Sequence, residues 1–126
     1  MYIERHAVTI AVDASGDGTG YTPVVSGFVQ AIRYVPDATV PYDTGVDITV
    51  TGEASGIPVV TVTNAGASAL NLYPRAATAG ITNTAALYAA GGSGVLDLIP
   101  VAGERIKIVL AQGGASKTGI FHVYVG

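Results

Sequence analysis

An all-β sandwich is the fold this sequence predicts, and three observations carry that reading. Apolar and polar residues alternate at period two in one segment after another. Turn-forming Gly, Pro, Asn and Asp punctuate these segments about every 8–12 residues. Almost nothing in the 126 residues sustains a helical period. Together they imply eight or nine short antiparallel strands in one domain over residues 1–126, with a two-sheet, jelly-roll-like arrangement preferred.

Residues 5–13 (RHAVTIAVD) place His6, Val8, Ile10 and Val12 on one face of a strand. Residues 14–20 (ASGDGTG) read as a turn, because glycine tolerates positive φ and Asp and Ser bond their own backbone. A short strand follows over 21–25, interrupted at Pro23. Residues 27–35 (GFVQAIRYV) are apolar on both sides apart from Gln30 and Arg33, which predicts a central strand covered on both faces. A loop over 36–45 carries Pro36 and Pro41. Val46, Ile48 and Val50 then alternate with Asp47, Thr49 and Thr51 in a half-buried strand. Further strands are expected at 58–63 and 68–73, with a turn at 64–66 (NAG). The Ala- and Thr-rich block 74–94 reads as a long loop, in which 84–90 has the composition for one helical turn before Gly91 and Gly92 stop it. After a strand at 95–99 come the two clearest segments, 104–111 (ERIKIVLA) and 117–125 (KTGIFHVYV). Separated by 112–116 (QGGAS), they read as two antiparallel strands joined by a Gly-Gly turn. Ile106, Ile108 and Leu110 share one buried face, and Phe121, Val123 and Val125 another.

The totals narrow the function classes. Half the chain (49%) is apolar and 12% is charged, about half the usual charged share, which argues against disorder and favours surface hidden against other chains. A net charge of −3 with six scattered Lys and Arg offers no basic stripe for nucleic acid. No run of 18 apolar residues exists to span a membrane as a helix. The N-terminal segment has neither a basic n-region nor an apolar h-region, so no secretory signal is expected. Without cysteine there is neither a disulfide framework nor a thiolate metal site.

Few motifs suggest chemistry. Asp43-Thr44-Gly45 resembles locally the catalytic triplet of retropepsin-like aspartic proteases, in which two such carboxylates share one proton across a dimer. Pro41 and Tyr42 stand where that family has an apolar strand, and neither its flap nor its second conserved segment follows. Residues 13–18 (DASGDG) match the first half of a calcium loop, but the closing position is Val24, so a β-turn is the reading adopted. Lys117-Thr118 precedes a strand rather than a helix and is no phosphate loop; 92–94 (GSG) is no nucleophile elbow. His6 and His122 are two imidazoles on strands, expected to make ordinary hydrogen bonds rather than hold zinc. No catalytic residue, metal or cofactor is expected. Seven tyrosines suit protein contact and the ends of a sandwich equally, and the absence of tryptophan counts against the flat aromatic platform of a carbohydrate-binding module.

The segments 31–37 (AIRYVPD), 42–53 (YDTGVDITVTGE), 72–75 (LYPR), 99–107 (IPVAGERIK) and 121–126 (FHVYVG) give the chain a resemblance to small all-β structural proteins of bacteriophage virions. That resemblance implies a non-enzymatic capsid decoration or cement protein, made in the host cytoplasm and placed on the capsid surface. It implies the major capsid protein as partner and self-association as a homo-oligomer. A head–tail junction or tail component, a glycan- or receptor-binding module, and the aspartic protease are the alternatives. The extended chain ends and the loops 36–45 and 74–94 are the expected contact segments, with Arg33, Tyr42, Tyr73, Arg75 and Tyr88 as anchors, since Tyr and Arg dominate interface energetics. The strand 117–125 is a further candidate, if it lies at an edge open to strand addition.

Overall fold

Each of the two clearest segments pairs with the N-terminal half of the chain, and neither pairs with the other. The computed structural model describes residues 2–126, with eleven strands and no helix among them. The strands are β1 (Glu4–Ala11), β2 (Gly18–Tyr21), β3 (Val25–Pro36), β4 (Asp47–Gly52), β5 (Pro58–Val62), β6 (Leu70–Leu72), β7 (Ala76–Ala77), β8 (Leu96–Asp97), β9 (Ile99–Glu104), β10 (Ile106–Ala111) and β11 (Thr118–Val125). One sheet runs β1-β11-β3-β6, with β9 also on β3; the other runs β2-β10-β4-β5; β7 and β8 form a separate ribbon. Every pairing is antiparallel.

The pairing is nested: β1 with β11, β2 with β10, β3 with β6 and β9, and β4 with β5. A long ribbon folded in this way and rolled up is a jelly roll, and the fold class agrees with the sequence. Nine strands build the sandwich, and the two short ones stand apart from it.

The nesting corrects the expected hairpin. β10 and β11 lie in opposite sheets, and residues 112–117 cross from one to the other. The buried faces are nevertheless those the alternation gave: Ile106, Ile108 and Leu110 against Phe121, Val123 and Val125, each at most 3% exposed. A period-two pattern fixes which side of a strand is buried but not its neighbour. The crossing loop is held at the sandwich end by Gly113 N–H to Gly16 O (2.9 Å), Asp43 N–H to Gly113 O (3.0 Å) and Ser116 N–H to Asp13 O (3.1 Å).

Other expectations shift too. β11 is flanked by β1 and β3, so it is no edge strand. β3 is central, but only its inner side is covered, because Phe28 and Arg33 are exposed on the outer side. The supposed turn 14–20 already takes in Gly18, Thr19 and Gly20 of β2. Glycine is needed there because a Cβ at Gly20 would lie 2.7 Å from side-chain carbons of Val8 and Ile10, where the two sheets meet.

Tyr42 is the largest departure. It is 1% exposed, so it is no surface anchor. Its loop closes one end of the sandwich, with the ring stacked on Tyr34 (centroids 6.0 Å apart), which in turn packs on Phe121 (5.3 Å). The ring also fills the space over Gly119, where a Cβ would come within 2.6 Å of it. Its hydroxyl donates to Ile10 O, and Tyr34 donates to Gly66 O (2.7 Å). Each tyrosine therefore buries its ring while its polar tip ties a loop to the core. Burial raises both phenols, that of Tyr34 to about 12.

At the opposite corner Glu104 is 7% exposed. Its Oε1 accepts the amides of Ser55 (3.0 Å) and Ala54 (3.1 Å) and the Ser55 hydroxyl (3.1 Å). These bonds, that of the Ser55 amide first, hold the carboxyl below its ordinary 4.5. Next to it, Arg105 lies 4.0 Å over the Tyr21 ring and forks onto Glu53.

Two substitutions test these ties. Tyr42→Phe keeps the ring and removes one donor to Ile10 O, which Thr118 Oγ1 still reaches at 3.3 Å; a loss of about 1 kcal/mol is expected by denaturant unfolding. A depressed carboxyl stabilises the fold above its ordinary value and loses that contribution as pH falls through its folded value. Glu104→Gln is therefore expected to unfold at lower temperature than the parent near neutral pH. The difference should shrink as pH drops below about 4.5, read by melting curves across pH.

Candidate functional site

The outer edge of β3 is shared end to end by two strands. β6 pairs with Ile32–Tyr34 and β9 with the stretch from Val25 to Val29. Gln30 and Ala31 fall in the gap, and the chain between β6 and β9 leaves the sandwich there as an arm. Arg75 fastens the root, its Nη1 donating to Gln30 O (3.2 Å) and Pro74 O (2.7 Å). The carbonyl left without a strand partner is thus satisfied by a side chain.

Residues 76–97 form a three-way junction rather than the expected loop with a helical turn. Thr78 N–H donates to Val95 O (2.9 Å), Val95 N–H to Ala86 O (2.9 Å), and Ala86 N–H to Thr78 O (3.0 Å). These bonds make a closed ring of three main-chain segments. The Thr78 hydroxyl adds a bond to Val95 O (2.9 Å). The β7–β8 ribbon is the stem, and turns near 80–84 and 89–93 form two lobes. Gly91 (φ 70°) and Asn83 (φ 61°) adopt the left-handed backbone that these tight turns need.

The arm has no apolar core. Only Thr78, Ala86, Val95 and Leu98 are even half-buried between Arg75 and Leu98. Its large apolar side chains point outward: Ile81 is fully exposed, Tyr88 is 75% exposed, and Leu87 and Leu96 are also exposed. Residues 76–96 carry no charge.

At the root a cleft of about 430 Å³ opens on the outer face of the first sheet. Ile3, Ala31 and Tyr124 line it with Gln30 and Ile32, and Arg33, Asn71, Tyr73 and Arg75 rim it. Arg33 Nη1 donates to Asn71 Oδ1 (2.6 Å). The structure therefore brings three of the five expected anchors (Arg33, Tyr73 and Arg75) around one cavity, puts Tyr88 on a lobe of the arm, and buries Tyr42. Sequence reasoning missed Ile3, Tyr124 and Ile81. Tyr124 was legible in principle, since it shares the outward side of β11 with Ile120 and His122.

The remaining motifs resolve into local geometry. Asp43 heads an exposed turn closed by Val46 N–H to Asp43 O (3.0 Å). Asp13 Oδ1 accepts the amides of Ser15 (2.8 Å) and Asp17 (3.1 Å), which makes its loop a side-chain-closed turn. His6 Nε2 lies 3.4 Å from Glu4. His122 departs from expectation: its Nδ1 is enclosed and has no hydrogen-bond partner among the described residues.

No family model matches the chain, and no curated protein matches it. Among solved structures, one described as "Crystal Structure of FLHE" aligns over 99% of this chain and 98% of its own at 8% identity, with a TM-score of 0.43. That likeness is too slight to bear on fold or function.

Arg75→Met removes the clasp while leaving the sandwich core intact. Amide exchange over residues 76–97 is expected to quicken several-fold, with the exchange of β3 and β11 unchanged, read by hydrogen-exchange mass spectrometry.

Proposed function

We propose that this chain is a non-enzymatic structural protein that works by adhesion, as a decoration or cement protein on a bacteriophage capsid. One observation carries the adhesive part: the arm displays Ile81, Leu87, Tyr88 and Leu96 to solvent while burying almost nothing of its own. Several large apolar side chains left exposed on one arm of an otherwise well-folded sandwich favour a contact site. Uncharged, Ala- and Gly-rich lobes let the arm lie close against another protein surface. The jelly roll is an architecture that viral capsid domains share with other classes, a fold-level analogy that adds support without deciding function. The virion setting and the major capsid protein as partner come from the sequence resemblance.

The test is co-sedimentation with undecorated heads of the phage whose genome encodes this chain. The parent is expected to pellet with the heads. Exchanging Ile81, Leu87 and Tyr88 together for serine is expected to weaken binding at least tenfold without moving the melting temperature, because those side chains touch no core. Failure of the parent to pellet would refute the capsid reading.

A further inference from the structure

The cleft at the arm root has an apolar floor and a basic rim. Arg33 and Arg75 stand on one side, and Arg5 faces the cavity's Tyr124 across the β1–β11 pairing. Half of the chain's six cationic side chains thus gather on this one sheet face of a protein whose net charge is −3. The ion pairs among the described residues are His6–Glu4 and Arg105–Glu53, so none of these three arginines is matched by a carboxylate. The nearest acid along the arm, Asp97, has Oδ1 occupied by the Leu98 amide (2.7 Å). Arg33 and Arg75 bond only neutral oxygens, those of Asn71, Gln30 and Pro74.

We infer that this cleft receives an acidic segment of a partner protein, an Asp or Glu whose carboxylate meets Arg33 and Arg75 while an adjoining apolar residue fills the floor against Tyr124. The inference rests on the adhesive reading above and names the chemistry of what is bound. Charge complementarity selects the carboxylate, because arginine presents a planar fork matched to it. The cavity's size suits a few side chains. Its position beside Tyr73, at the root of an arm that exposes further apolar side chains, selects a protein segment over a free acid, since a longer ligand can reach both.

A random-peptide display library panned on the intact protein tests this. Enriched peptides are expected to carry Asp or Glu beside an apolar residue. Their affinity should fall at least tenfold with Arg33→Gln, with amidation of the peptide's acid to Asn or Gln, and on raising salt. Arg33 is exposed and makes its bond to Asn71 alone, so its loss leaves the fold intact; Arg75→Lys, which keeps the charge but not the fork, supplies a second reading. Backbone NMR shifts on binding should centre on Ala31 and Tyr124. Acid-free enriched peptides, indifference to Arg33→Gln, absence of any enrichment, or free acetate competing as well as the peptide would each overturn the inference. Peptide binding without head binding would sink only the capsid setting. Head binding indifferent to Arg33→Gln would sink only the cleft.

Discussion

Burial of two opposed apolar rows holds this molecule together. Ile106, Ile108 and Leu110 from one sheet meet Phe121, Val123 and Val125 from the other, and all six are nearly inaccessible to water. Strands this apolar on one side and polar on the other are stable only when that side is covered. Because the rows come from consecutive strands in different sheets, the chain has to cross the sandwich between them. With β10 and β11 in different sheets, β1 and β3 pair with β11 while β2 and β4 pair with β10. Aromatic packing of Tyr42, Tyr34 and Phe121 closes the end where the crossing occurs.

What the sequence made legible was whatever obeys a local rule. Val8, Ile10, Val46, Ile48 and Val50 were assigned to buried faces by alternation alone, and all are buried. Pairing was not legible, because a Gly-Gly turn joins a hairpin and a sheet-to-sheet arch equally well. β2 was hidden in a glycine-rich stretch whose glycines answer to the side chains of Val8 and Ile10 beneath them, a tertiary demand with no local signature. Tyr42 was misplaced for a related reason. Tyrosine suits both a surface and a core that offers its hydroxyl a carbonyl, and only the fold shows that Ile10 offers one.

The arm escaped prediction because its order owes nothing to hydrophobic periodicity. A ring of three main-chain hydrogen bonds around Thr78, Ala86 and Val95 holds it, and bonds between backbone groups leave no pattern of residue types to read. The cleft was partly legible: Arg33, Tyr73 and Arg75 were chosen for residue type, and the divided edge of β3 is what assembles them. Ile3 and Tyr124, which complete it, come from the two ends of the chain.

That divided edge also separates two kinds of constraint. Leu72 and Ile99 hold their places on β3 whatever lies between them, so the intervening segment is a cassette plugged into a fixed socket. A change in its length or composition falls outside the pairings that build the sandwich, so the tip and the scaffold answer to separate demands.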